Sequence, residues 1–492
     1  GEEMTTSEKK SWSPTLKSYV SILAALIVMV LVMKLPLPES ILTSGTAELT
    51  ELGRASLGVL IFCLILWITE PMPFHITGLF GIILVTLLKI DTFAEAVKTG
   101  FGNDTVVFFI GVLALSAVIT NSGLGKRISM LILSRTGNKT AFILLGFLIV
   151  GTLLSMWVTD MAVAAMLMPL ARAMLIEQGL EPKKSNFGKA LMIACAWGPI
   201  VGGIGTPAGA GPNQLAIGFI SEMAGIEISF LDWMVYGVPC ALLLIIPSWL
   251  VLMLFFKPEI KQLDKTKEQI QEEFRSYPKM TRNEIATLIV FAVTIVLWVS
   301  SSWLGNLLGI KIPTSMPAIL GACLLFLPGV TDLKWSAVEK DISWSGILLI
   351  ATGVTLGMEI YTSGAAEWLS MLLLGGIAEM APLVQIFMIL IIISFLKVGL
   401  SSNTVTATVI IPIMIVMAQQ FGLPMMGIVV PASLTLSLAF ILVTSTPTNV
   451  IPYSAGYFNI SDMAKAGTVL TLVSSAILAV VIYGIGTLTG IY

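Results

Sequence analysis

Long apolar runs separated by short polar ones set the pattern of the chain. Runs at 18–34, 53–69, 74–90, 104–121, 230–256, 284–308, 314–330, 343–362 and 464–490 each approach the roughly 20 apolar residues that a helix needs to cross a bilayer. Two more are interrupted. Residues 188–220 carry Gly202, Gly203, Gly205, Pro207, Gly209, Gly211 and Pro212, and 424–458 carry Thr444 to Asn449 with Pro447 among them, so each of these helices is predicted to break near its middle. That makes eleven crossings. Two further blocks, 140–176 and 383–419, are split by the polar clusters Thr159-Asp160 and Ser401-Ser402-Asn403-Thr404, and each predicts the two arms of a re-entrant hairpin. The pattern predicts an all-α polytopic membrane protein with eleven transmembrane helices plus two re-entrant hairpins.

Basic residues orient it. With the N-terminus inside and both hairpins re-entering, cytoplasmic segments hold 21 of the 27 Lys and Arg residues, as the positive-inside bias requires. Lys34, Arg54, Lys89, Lys98 and Lys311 fall outside, and Lys397 is left within an apolar run. Residues 1–14 read as a polar tail. The first run is followed by Pro36 and Pro38 rather than a small-residue cleavage site, so it reads as a span. The C-terminus is expected outside, in a multi-pass plasma-membrane protein. Residues 257–283, the one long polar segment between spans, predict an amphipathic helix on the inner surface or a solvated linker.

Composition narrows the function. At 492 residues, with 56% hydrophobic and 11% charged residues, the chain is too apolar for a soluble protein, and a net charge of −2 leaves no basic surface for nucleic acid. Cys63, Cys195, Cys240 and Cys323 lie in apolar stretches at irregular spacing, reading as buried small hydrophobes. His75 is the single histidine, so Ser-His, Cys-His and HExxH chemistries lack material. An interfacial structural role is expected for it. No enzyme, cofactor or metal is expected. Trp12, Trp233, Trp249, Trp298 and Trp335 are candidates for an interfacial belt.

The two split blocks are copies. TDMAVAAMLMP (Thr159–Pro169) aligns with SNTVTATVIIP (Ser402–Pro412), and NSGLGKRIS (121–129) resembles TSGAAEWLS (362–370). Each block is followed by a Thr-Pro break, Thr206-Pro207 or Thr446-Pro447, with Asn213 or Asn449 just beyond. One block enters from the cytoplasm and the other from outside, so the copies are inverted. Inverted repeats with paired broken helices mark a secondary transporter whose substrate lies at the midplane between them. Helix N-termini at hairpin tips and breaks offer free N–H groups to a carboxylate, with Asn403, Thr404, Thr206, Thr446 and Asn449 as neutral donors. Two copies make two cradles. A small dianion with an acidic group at each end is therefore expected. Taken singly, such small polar residues are more often helix-packing contacts.

These residues resemble the divalent anion:sodium symporter family of dicarboxylate transporters, over about residues 15–490. WITEPMPFHITGL (Trp67–Leu79), FGNDTV (Phe101–Val106), both tips, GGIGTPAGAGPN (Gly202–Asn213) and STPTNVI (Ser445–Ile451) carry the resemblance. It implies a homodimer in the bilayer, carrying C4 or C5 dicarboxylates such as succinate, malate, fumarate or 2-oxoglutarate, and sometimes citrate. Residues 15–130 and 284–370 would form a scaffold of helices 1–4 and 7–9. Residues 131–256 and 371–492 would be the two halves of a transport block moving as an elevator, and 257–283 the surface linker. Family symporters carry Ser-Asn-Thr at both tips; here the second is Ser402-Asn403-Thr404, and the first is Thr159-Asp160-Met161. The implied substrate-binding set is Thr159, Asp160, Met161, Thr206, Pro207, Asn213, Ser402, Asn403, Thr404, Thr446, Pro447 and Asn449. Ser155, Thr159 and Asp160 fall at a vestigial sodium position, and Val443 replaces a usual proline.

Lys397 lies five residues before Ser402, close to where the resemblance places the other sodium ion. A lysine in hydrocarbon costs a few kcal/mol even on lenient scales, so it needs a partner or a function; the plain alternative is snorkelling to the interface. An ammonium in place of a mobile cation is charge-compensating and permanent. An empty carrier would then drag an uncompensated charge through the barrier, and a block reloaded with dianion would cross. This predicts sodium-independent antiport. Asp160 is expected to pair with Lys397, to pair with another cation, or to take up a proton. The competing readings are a sodium- or proton-coupled dicarboxylate or citrate symporter, an aspartyl protease using Asp104 and Asp160, and a channel, which lacks a repeated ring of charges.

Overall fold

The computed structural model describes residues 13–45, 47–400 and 402–492. Lys9, Lys10, Trp12, nearly all of the polar tail, and Ser401 lie outside the described residues. The chain is helical almost throughout; the strands among the described residues are the two-residue pair Thr43–Ser44 and Ala47–Glu48. Among the described residues, eight helices are long and apolar enough to cross a membrane, including Glu51–Thr69, Asp104–Ser122, Phe230–Phe255, Trp344–Thr362 and Ile460–Leu488. Every expected apolar run contains a helix. The run at 284–308 divides into Arg282–Val299 and Ser301–Leu308 at Ser300. That at 314–330 gives only Ser315–Leu325, about 17 Å of helix at 1.5 Å per residue.

Each split block forms a pair of helices, Thr140–Ser155 with Asp160–Glu177 and Pro382–Val398 with Asn403–Gln420; the arms of the first pack on each other, and those of the second each pack on Met425–Ser437. Each leads into a broken helix: Asn186–Gly203 with Gly211–Ala224, and Met425–Ser437 with Pro447–Tyr453. These elements pack on one another and on Phe230–Phe255 and Ile460–Leu488. The first hairpin meets its broken helix backbone to backbone: a Cβ on Gly151 would stand 2.8 Å from Pro199 Cδ and 2.9 Å from Gly198 Cα. The remaining long helices pack among themselves, and the seam between the two sets runs mainly along Trp344–Thr362 and Ala365–Ala378 against Asn403–Gln420.

The expected boundaries at 130 and 370 fall inside the helices Leu124–Leu133 and Ala365–Ala378. Both start at a left-handed glycine, Gly123 (φ 84°, ψ 0°) and Gly364 (φ 82°, ψ 0°), a conformation that only glycine adopts cheaply. The same turn stands at the same place in both copies. In the 257–283 segment, Lys267–Arg275 is a helix opened by a capping box of Thr266 and Gln269. Its Ile270 and Phe274 line a cavity with Phe147, Leu170 and Met174 at the base of the first hairpin, so its apolar side faces protein. Trp233 and Trp298 leave the expected belt. Both are fully buried, donating to Ile204 O and Thr314 O, and Trp298 stacks on Phe230 at 4.4 Å. Cys323 is exposed, unlike the other three cysteines.

Candidate functional site

At the first tip, Thr159 is the N-cap and Asp160 the first residue of its helix. The Asp160 carboxylate accepts from Met161 N–H at 2.8 Å, and Ser116 Oγ accepts from Thr159 N–H at 3.2 Å. At the second tip the N-cap is Ser402, whose hydroxyl accepts from Val405 N–H at 3.3 Å, leaving the Asn403 and Thr404 side chains free to point elsewhere.

The two breaks are fastened alike. Asn213 donates both amide hydrogens to the carbonyls of Gly203 and Thr206, each at 2.9 Å. Asn449 donates to Ala439 O and Leu442 O at 2.8 and 2.9 Å. In both cases the acceptors lie ten and seven residues back; the first is a carbonyl that an interrupted helix leaves without a partner, and the second also accepts a backbone N–H, from Gly209 or Ser445. Both asparagines are fully buried. This sets the register of the repeat differently from the Thr-Pro alignment: Ala210-Gly211 matches Thr446-Pro447, and Ala210 and Thr446 are the two N-caps, at φ −147°, ψ 146° and φ −155°, ψ 145°. Thr206 instead fastens the break to the first tip by donating to Met156 O. It is buried, as is Pro207.

A cavity of about 470 Å³ lies where these parts meet. Of the expected residues, Asp160, Ser402, Asn403, Thr404, Thr446 and Pro447 line it. Thr159, Met161, Thr206, Pro207, Asn213 and Asn449 do not, and Ser155 is buried with its hydroxyl unpartnered. The first break contributes Ala210, Gly211 and Pro212 instead. The other set of helices supplies Pro73, Phe74, His75, Ser343, Ser345, Gly346 and Leu349. Six helices therefore begin on this cavity, at Phe74, Asp160, Gly211, Trp344, Asn403 and Pro447, and their N-terminal dipole ends favour an anion there. Among the described residues its lining holds no Lys or Arg; Asp160 and His75 are the titratable groups. Two other cavities, of about 370 and 270 Å³, contain none of the tip residues.

Lys397 stands behind the cavity. It is 7% exposed and donates to Thr435 O and Leu438 O, carbonyls at the C-terminal end of Met425–Ser437. A helix C-terminus carries partial negative charge, so the ammonium is partnered there and does not snorkel. It forms no ion pair with Asp160 among the described residues. Sequence reasoning missed the lining at Ala210–Pro212, Ser343 and Ser345, and Ser437, and placed His75 elsewhere. One signal was available: Ser343 precedes an apolar run as an N-cap does.

The model of the family described as the sodium:sulfate symporter transmembrane region matches residues 16–490. The chain belongs to that family. It is a multi-pass membrane transporter, not an enzyme. Among relatives of this sodium:sulfate symporter family member is the "Sodium-dependent dicarboxylate transporter SdcS" of Staphylococcus saprophyticus, 30% identical over 455 residues, covering 89% of this chain and 86% of that one. The Staphylococcus aureus (strain USA300) protein of the same name is 30% identical over 439 residues, covering 85% and 83%. The crystal structure of the Alcanivorax borkumensis YdaH transporter is similar in fold, with a TM-score of 0.56 at 14% identity over 96% of this chain and 98% of that one.

Proposed function

We propose that this protein exchanges small C4 or C5 dicarboxylates across the plasma membrane, without sodium, by elevator movement of the two hairpins, two broken helices, Phe230–Phe255 and Ile460–Leu488 against the other helices, as a homodimer. Asp160, Ser402, Asn403, Thr404, Thr446 and Pro447 contact the substrate; Thr206, Asn213 and Asn449 hold the breaks that shape its site. The anionic substrate follows from six helix N-termini on one cavity. The observation that carries the coupling is Lys397 on the Thr435 and Leu438 carbonyls. A bound metal ion would be attracted to that same helix end, and a tethered ammonium already occupies it. With the N-terminus inside, Pro73–His75 and Ser343–Leu349 are cytoplasmic span ends, so the cavity faces the cytoplasm.

In proteoliposomes, labelled succinate or 2-oxoglutarate uptake is expected to require a dicarboxylate on the opposite side, within a panel of C4 and C5 acids and citrate. Equal uptake into empty and loaded vesicles overturns exchange. The name of the two staphylococcal relatives, which says sodium-dependent, favours a second reading, symport coupled to sodium, with coupling to protons as its variant. Under that reading a sodium gradient or a proton gradient alone fills empty vesicles.

A further inference from the structure

His75 is the one histidine of the chain. It is half-buried in the first turn of Phe74–Leu87 and lines the cavity that the Asp160 and Ser402–Thr404 tips also line. It belongs to the helices outside the hairpin set. The three helices packed against its own, Glu51–Thr69, Phe93–Phe101 and Trp344–Thr362, carry Glu51, Arg54, Glu95, Lys98 and Glu359, and none of these lines the cavity. Asp160, on the moving side, is the other titratable group in the lining. A separate observation asks for a ligand in this space: Ser437, 3% exposed and also in the lining, has a hydroxyl without a protein partner.

We propose that His75 is a substrate-facing residue on the static half, which contacts one carboxylate of a dicarboxylate held by the hairpin tips and loses it when the tips move away. This rests on the dicarboxylate reading above. An imidazole N–H donates a hydrogen bond to a carboxylate oxygen, and a hydrogen bond to an ionised acceptor is about twice as strong as one between neutral groups. Such a residue makes affinity depend on which way the carrier faces, which no group on the moving tips alone can do.

The test is succinate exchange by wild type, H75A, H75Q and H75K in proteoliposomes at one pH. H75A is expected to raise KM roughly tenfold and to leave kcat within about twofold, while H75Q and H75K, which keep an N–H donor, hold KM within about threefold of wild type. A structural role would instead lower kcat or the melting temperature, with no rescue of KM by the donor-bearing variants. A KM for H75A equal to that of wild type, or H75Q and H75K no better than H75A, overturns the assignment. If H75A does not give a monodisperse protein, H75L replaces it with the same expected and overturning results. Failure of wild type to exchange any C4 or C5 dicarboxylate overturns the function and this inference together; exchange by wild type with overlaid variant profiles overturns only the role of His75.

Discussion

Substituting Asn449 or Asn213 by alanine removes two donors from each break. Asn449→Ala leaves Ala439 O without a donor, and Asn213→Ala leaves Gly203 O without one, whereas Leu442 O keeps Ser445 N–H at 3.2 Å and Thr206 O keeps Gly209 N–H at 3.1 Å. A buried acceptor left unpaired costs about 1–3 kcal/mol, so each variant is expected to lose about 1–3 kcal/mol from that acceptor before any relaxation. Because both residues are fully buried and reach acceptors at the same two offsets, the two losses should agree within about 1 kcal/mol. Thermal unfolding of purified protein in detergent, followed by tryptophan fluorescence and backed by limited proteolysis, measures this. Asn403→Ala is the contrast. Its side chain lines the cavity, so it should raise KM for succinate roughly tenfold with a far smaller change in melting temperature. If Asn449→Ala melts with wild type and raises KM as Asn403→Ala does, the buried asparagines are ligands rather than fasteners and the division of the site fails.

Other expectations follow from particular contacts. Asp160→Asn takes a carboxylate out of a cavity proposed to receive a dianion, and should lower the KM for succinate at pH 7.5 by roughly tenfold, a like-charge term of about 1.4 kcal/mol; an unchanged or raised KM contradicts a charged Asp160 beside the bound dianion. Gly202→Ala drives a methyl group into the Thr152 backbone and should cost at least about 1–3 kcal/mol of stability, read as a lower melting temperature with little change in KM. Lys311 pairs with Glu227 at 2.8 Å across the seam, and its hydrogen bond, against burial, holds the Glu227 carboxyl below the usual range. The stabilisation is thus complete at neutral pH and is lost as pH falls through that lowered value. Both side chains are more than half exposed, so Glu227→Gln should alter exchange rate by only about twofold at low ionic strength and not at all in high salt.

Much of the architecture is legible in the hydrophobic pattern, because span length and helix breaks at membrane depth are dictated by backbone hydrogen bonding. The paired helices of the split blocks and both helix breaks fall where the apolar runs and polar clusters place them. The register of the repeat was harder. Two Thr-Pro pairs look equivalent in the text, yet the offsets from Asn213 and Asn449 show that Ala210, not Thr206, matches Thr446. Only a three-dimensional N-cap could reveal this, since Ala210 has no side-chain chemistry to advertise it. The fully buried Asn213 and Asn449 illustrate the same limit: an amide donor looks identical in sequence whether it faces a ligand or two carbonyls. Lys397 was legible as an anomaly, because its cost in hydrocarbon demands a partner, while the identity of that partner, a helix C-terminus rather than Asp160, was not. His75 lay close to a helix start in the sequence, and only the approach of the two helix sets brings it to the cavity.

The fixed cation is tested most directly by succinate uptake into proteoliposomes with and without an inward sodium gradient, for wild type and Lys397→Ala side by side. Wild type is expected to take up label only when loaded with dicarboxylate and at the same rate in sodium and in choline, and Lys397→Ala is expected to lose strict dependence on internal substrate. Accumulation of succinate by wild type in empty vesicles, driven by sodium, would contradict it.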